Sequence, residues 1–280
     1  MNPKVSVIIP YYNDYKYIEE TLESVKQQTY SNIEVILIDD GSTDPKSINI
    51  FNSVEFKDCI KIHKKNGGPS SARNLGITKA KGKYILPLDS DDKIAPSYID
   101  KAVRILESDP KCGIVYCKSR FFGQDSGQWN LPRFTVGKML ISNIIFNAGL
   151  FRKEDWDYCH GYDEELKVGI EDWDFWLSIL ELNRSVYQIP EVLFYYRIKP
   201  ISRNKNFAKE KEVLKETFLY IQNKHKEFYK EHFNEYLIES RNIILDQDFE
   251  ILKLRKKGLK SKFGNTFPIL RKLWHALKYR

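Results

Sequence analysis

The sequence predicts a doubly wound α/β fold carrying a helical extension at its C-terminal end. Three observations lead there: short apolar runs alternate with helical stretches over the first hundred residues, acids stand directly after several of those runs, and polar helical sequence takes over after Arg197. Such alternation marks a parallel sheet covered by helices. In sheets of this kind ligands bind beyond the carboxyl ends of the strands.

Residues 5–10 (VSVIIP) read as the first strand, and Ile18, Leu22 and Val25 then recur at helical spacing after a polar start at Asn13 and Asp14. Further strands are expected over residues 34–39, 59–62 and 83–88, and a helix over 69–80 after the pair Gly67-Gly68. Tyr11, Tyr12, Asp39, Asp40, Asp89 and Asp91 therefore collect at strand ends. From about Gly113 the pattern loosens into short strands, glycine-containing loops and aromatics, followed by a helix from Glu171 to about Leu182. Helical periodicity returns over residues 207–233 and 235–254. Residues 1–200 read as one domain and 201–280 as the extension.

With 280 residues, 42 % of them hydrophobic, the chain can bury one substantial core. Cys59, Cys112, Cys117 and Cys159 show no paired metal-ligand spacing and are too few for a disulfide scaffold, which points to a reducing cytosol. The apolar run at residues 5–10 is too short for a signal peptide or membrane span, so a cytoplasmic protein, soluble or peripheral, is expected. The net charge is +7, but residues 251–280 hold ten Lys or Arg and no acid, leaving 35 basic against 38 acidic residues before them. A near-neutral body with a basic end argues against nucleic acid and for an anionic surface.

Asp89-Ser90-Asp91-Asp92 offers three carboxylates at one strand end. Neighbouring acids repel unless a cation neutralises them, and magnesium or manganese commonly joins a carboxylate to substrate phosphates. Alone, the pattern also suits a solvated acidic turn. Asp39-Asp40-Gly41-Ser42 ends a second strand in the same way, though a tight turn or helix cap would use the same residues. In residues 66–76 (NGGPSSARNLG) two glycines let backbone approach a ligand, and Arg73 lies one turn into the helix that follows. Neither a Walker loop nor a dinucleotide fingerprint is present, and taken alone the segment is an ordinary loop with a helix cap.

Together these segments resemble the family-2 glycosyltransferases of the GT-A fold, a Rossmann-like, mostly parallel sheet. Residues 5–10 with Tyr12-Asn13, then Gln28-Thr29-Tyr30, 34–44 (EVILIDDGSTD), 66–76, Gly82-Lys83-Tyr84, 88–92 (LDSDD), Gly161-Tyr162-Asp163-Glu164 and Glu171-Asp172-Trp173 follow in family order over residues 3–200. The resemblance implies a nucleotide-sugar-binding half over 1–100 and an acceptor-binding half over 101–200. It implies a donor-binding set of Pro10, Tyr12, Asp40, Asn66, Arg73, Asp89, Ser90 and Arg197. Tyr12 would stack on the nucleobase, Asp40 would accept a hydrogen bond from it, and Arg197, with Ser202, belongs to a segment that closes over the diphosphate. Asp91 would be the protein ligand to Mn2+ or Mg2+, Asp172 the catalytic base, and Glu171, Trp173 and His160 would lie on the acceptor side. Cys159-His160 stands where many relatives carry a glycine pair, and Glu171-Asp172 alone would be an acidic first helical turn favoured by the helix dipole.

The expected activity is inverting transfer of a sugar from a nucleotide-diphosphate donor, UDP by family frequency, to an acceptor hydroxyl. A glycan or a lipid-linked oligosaccharide of cell-surface polysaccharide, O-antigen or capsule, fits as the acceptor. A nucleotidyltransferase would show a basic Gly-rich loop after its first strand, where Tyr11-Tyr12-Asn13-Asp14 stands instead. A non-catalytic nucleotide-sugar sensor or scaffold is the alternative from another class: it could keep Asp40 and Asp91 without turnover, and the presence of Asp172 argues against it. In residues 267–280, Ile269, Leu270, Leu273, Trp274 and Leu277 share one helical face with basic residues around it, which suits an anionic membrane through residues 264–280 or packing on the body.

Overall fold

The computed structural model describes residues 2–54, 59–167, 169–200 and 211–256. Serine 202 and the tail 264–280, singled out above, lie outside them. Nine strands build one sheet: β1 (Val5–Tyr11), β2 (Ile33–Asp39), β3 (Cys59–His63), β4 (Tyr84–Pro87), β5 (Lys93–Ile94), β6 (Cys112–Gly123), β7 (Gly127–Trp129), β8 (Leu150–Arg152) and β9 (Ser185–Ile198). Their order is β3-β2-β1-β4-β8-β6-β9-β5, with β7 hairpinned onto β6. β1 to β4 are parallel, β8 runs against both β4 and β6, and β9 runs parallel to β6.

The central strands are covered on both faces, which is why they read as unbroken apolar runs: Val5, Val7, Ile8, Ile9 and residues 35–38 are all buried. Helices α1 (Ile18–Lys26), α2 (Pro45–Ser53), α3 (Pro69–Lys79) and α4 (Tyr98–Ser108) cover this half. Gly76 allows α3 to lie directly on the sheet, because a Cβ there would meet Ile38 and Ile8 side chains at 2.7 Å. The second half adds α5 (Val136–Ile141), α6 (Lys153–Tyr158) and α7 (Glu171–Glu181). Among the described residues the extension holds α8 (Lys211–Lys224), α9 (Lys226–Glu231) and α10 (Phe233–Lys256).

Two segments differ from the sequence expectation. The region after Gly113 is not a set of short strands: β6 has 12 residues and pairs along its length with the 14-residue β9. Pro190 and the exposed Glu191 interrupt the apolar pattern of β9, and register shifts absorb the interruption. The single helical stretch expected over 207–233 breaks at His225, the cap residue between α8 and α9.

An electrostatic cluster sits at that break. The buried His225 ring places Nε2 3.0 Å from Asp174 Oδ1 and Nδ1 2.9 Å from Glu181 Oε1, both on α7, while Lys224 Nζ lies 2.8 Å from Asp174 Oδ2. Two carboxylates at both ring nitrogens require an imidazolium. Burial opposes the charge, but the hydrogen bonds to Asp174 and Glu181 overcome it and raise the His225 pKa. Stability from a raised histidine is fully present below the unfolded value of about 6.5 and is lost as pH rises through the folded value. His225→Gln is expected to cost about 3 kcal/mol in urea unfolding near pH 6, because it removes one partner of a buried ion pair. The difference from wild type should shrink on the alkaline side of that window.

Candidate active site

The carboxyl ends of β1, β2 and β4 open into one cleft of about 780 Å³, closed on its far side by α7 and the end of β9. Each strand delivers its polar residues just past its end: Tyr12 after β1, Asp40 after β2, and Asp89 to Asp92 after β4. Half-exposed Tyr12 stands at the rim of the cleft. Its loop is held by Asn13, whose Oδ1 accepts from the N–H groups of Thr43 and Asp44 at 2.9 Å.

Asp40 organises the glycine loop. Its Oδ1 accepts from Lys64 Nζ at 2.7 Å and Gly67 N–H at 3.0 Å, its Oδ2 accepts from Gly68 N–H at 2.8 Å, and Asn66 Nδ2 donates to its carbonyl. Gly41 is required beside it, since φ is +76° and a Cβ would come 2.7 Å from Asn66 N.

A buried arginine joins the two halves. Arg73 donates from Nη2 to Asp89 Oδ1 and from Nη1 to Glu171 Oε1, each at 2.8 Å. Burial disfavours its charge, but Asp89 and Glu171 outweigh burial and raise its pKa. Asn147 Nδ2 also donates to Asp89 Oδ1, at 3.1 Å. Among the described residues, Arg73 Nε and Asn147 Oδ1, in two residues that line this cleft, are buried without a hydrogen-bond partner.

Asp91 is short of positive charge. Burial and the neighbouring Asp89 push its carboxyl up to about 6, against the pull of Lys199, whose Nζ lies 2.6 Å from Asp91 Oδ2 and 3.1 Å from Asp14 Oδ2. Burial, then Asp91, raises Asp92 well above the usual carboxylate range. Among the described residues no group of three or more His, Cys, Asp or Glu is arranged to hold an ion by itself. The carboxylate oxygens of Asp89 and Asp91 are donors that suit a hard cation whose other ligands are phosphate oxygens and water.

Opposite these acids, Gly169 at φ +109° and Ile170 at φ +59° turn the chain sharply into α7. The left-handed conformation is costly for a β-branched residue, and the turn it makes sets Glu171 and Asp172 at the cleft. Asp172 Oδ2 accepts from Asn143 Nδ2 at 2.9 Å and Oδ1 from Trp173 N–H at 3.0 Å. Burial, then the adjacent Glu171 charge, lifts its carboxyl to about 7. A carboxyl held there is suited to taking a proton at neutral pH.

Pro10, Tyr12, Asp40, Asn66, Arg73, Asp89, Ser90, Asp91, Glu171 and Asp172 thus line one cleft. Arg197, Trp173 and His160 do not. Phe194 and Tyr196 face the cleft, so the pleat turns Arg197 to the other face, where its guanidinium meets Glu20, the Asp91 carbonyl and the rings of Tyr17 and Phe122. Trp173 points into the core, donating from Nε1 to the Met139 carbonyl and meeting Phe218 of α8. His160 is exposed at φ +59° in the turn after α6. The cleft adds residues that sequence reasoning missed: Asp14, Asn143, Asn147, Lys199 and the aromatic wall of Trp129, Phe146, Phe194 and Tyr196.

A sheet curled around a strand-end acidic cleft, flanked by helices, is the GT-A architecture, and the comparisons place the chain within it. The chain belongs to glycosyl transferase family 2, whose family model matches residues 6–164. An uncharacterized glycosyltransferase of Rickettsia typhi is 36 % identical over 214 residues, covering 70 % of this chain and 64 % of that protein. The crystal structure of S. aureus TarS residues 1–349 with UDP superposes at a TM-score of 0.59 and 26 % identity, over 70 % of this chain and 61 % of that one. The mannosyltransferase PcManGT of Pyrobaculum calidifontis, crystallised with GDP-Man and Mn2+, shares the fold at a TM-score of 0.58 and 22 % identity, over 73 % and 60 % of the two chains. The chain thus spans less than two thirds of each of these relatives.

Proposed function

We propose that this chain is an inverting, divalent-cation-dependent glycosyltransferase that moves a sugar from a UDP-sugar to an acceptor hydroxyl. The observation that carries the reading is that the side chains of Asp40, Asp91 and Asp172, from three separate elements, line the same cleft. Membership of the family supports it, and UDP in the TarS relative supports the choice of nucleotide. A glycan acceptor on a lipid carrier at an anionic membrane is in keeping with the basic end of the sequence. Among the described residues no helix is long and apolar enough to cross a membrane.

In this reading Tyr12 covers the base, Asp40 and the glycine loop hold its edge, and Asp89 with Asn147 meets the ribose. Asp91 holds the cation, with Lys199 beside it. Bound there, Mn2+ or Mg2+ would stabilise the negative charge that grows on the diphosphate. Asp172 takes the proton from the acceptor O–H while that oxygen attacks the anomeric carbon. The new C–O bond forms as the bond to phosphate breaks, its electron pair leaving on the nucleoside diphosphate, and attack from the opposite face inverts the centre. Asn143 and the Trp173 N–H aim the base, each occupying one carboxylate oxygen.

Thermal shift against a panel of nucleotide sugars with manganese tests the reading. A donor at one hundred times its dissociation constant should add about 2.7 kcal/mol to stability, and UDP-sugars should give the largest shifts. No shift with any member would refute it. The pH profile adds a second check. The acid limb of kcat/KM is expected near 7, with activity rising as Asp172 deprotonates. Glu171→Gln removes the charge that raises Asp172, so the limb should move to lower pH.

A further inference from the structure

Helix α10 leaves the body partway along its length. Its first turns pack on α5, where a Cβ on Gly137 would meet the Glu235 carbonyl at 2.5 Å, and Tyr236 meets Tyr229 edge to face. From Arg241 to Lys253 no residue is buried. A lone helical segment of that length is marginal in water, and apolar side chains along it gain nothing from exposure.

Those side chains are ordered. Ile238, Asn242, Leu245, Phe249 and Leu252 follow one another at alternating steps of four and three residues, the spacing of a coiled-coil seam. The four apolar members are 39–61 % exposed. Ile238, Leu245 and Leu252 fall at d positions, and Asn242 and Phe249 at a positions. Leu237 and Ile243 lie off the seam. A single buried asparagine at an a position fixes register and strand number.

The flanking charges select the partner. Arg241 and Asp248 take g positions, Asp246 and Lys253 take e positions. In a parallel pair of identical helices, g of one copy faces e of the next heptad in the other. Arg241 then meets Asp246 of the second copy, and Asp248 meets Lys253. Both contacts join opposite charges. An antiparallel pair about the middle of the seam would instead set Asp246 against Asp246 and Asp248 against Asp248. The exposed pair Lys253 Nζ to Glu250 Oε1, at 2.7 Å within one helix, is too weak to hold Lys253 from such a contact.

We propose that α10 is a dimerisation seam that joins two copies of this chain as a parallel two-stranded coiled coil, with Asn242 facing Asn242. The proposal stands apart from the assigned reaction. Sedimentation equilibrium of the full chain from low to high micromolar concentration tests it, on wild type, Arg241→Glu, Asp246→Arg and the double swap. Wild type should pass reversibly from monomer to dimer. Each single swap should raise the dissociation constant about tenfold, since the symmetric dimer then carries two repulsive contacts, and the double swap should restore it. All four should melt at the same temperature when dilute, because these side chains are exposed. A wild type that stays monomeric throughout, or a dimer indifferent to the swaps, would overturn the proposal. So would a monomer that floats with vesicles containing phosphatidylglycerol, for which Asp246→Arg would strengthen binding and the double swap would rescue nothing.

Discussion

Asp172→Asn is expected to lower glycosyl transfer by about a thousandfold while leaving donor binding intact. Asparagine keeps the shape of the side chain and one of its two hydrogen bonds, to Asn143 Nδ2 or to the Trp173 N–H. What it loses is the ability to accept a proton. Burial and Glu171 favour that ability by lifting the Asp172 carboxyl to about 7. A structural role alone would show in stability, so the variant should unfold at nearly the wild-type urea concentration. Calorimetry should return the wild-type affinity for UDP.

Asp91→Asn is expected to give the second large effect, on the diphosphate side of the proposed reaction. It should cost about a hundredfold to a thousandfold in transfer at saturating donor and manganese, the range for removing a group that stabilises transition-state charge. The two losses differ in kind. Asp172→Asn leaves manganese-dependent UDP binding in place, whereas Asp91→Asn should weaken that dependence itself. In the variant, Lys199 also loses its 2.6 Å partner and keeps Asp14.

The first half of the sheet was legible in the sequence because strands buried on both faces must be apolar throughout, so each acid that ends such a run marks a strand terminus. Residues 5–10, 34–39 and 83–88 read as strands for that reason, and Tyr12, Asp40, Asp89 and Asp91 came with them. The second half followed a different rule. Strand β9 is partly exposed and carries Pro190, so neither alternation nor an apolar run announced it. Once β9 is a strand, period two assigns Phe194 and Tyr196 to the cleft and turns Arg197 away, while Lys199, beyond the last paired residue, is free of the pleat and reaches Asp91. Asn143 and Asn147 sit in the irregular segment between α5 and β8, where no periodicity exists to read. Their roles come from tertiary placement against Asp172 and Asp89. Arg73 was visible as a helix residue beside a glycine loop, but its bridge to Glu171 joins positions 98 residues apart and has no local signature.

That bridge also explains why the two halves act as one site. Arg73 fixes Asp89, after β4, and Glu171, at the start of α7, with a single planar group. Replacing it with lysine would keep the charge and lose one of the two contacts.

In the proposed reaction Asp91, at the rim of a cleft shared with Asp40 and Asp172, gathers a cation and a nucleoside diphosphate together. Titration calorimetry of UDP into the full chain, with manganese and with a chelator, checks this. Heat of binding is expected with manganese, little with the chelator, and the difference should be lost in Asp91→Asn. Equal affinity for UDP in both buffers, or no association in either, would contradict it.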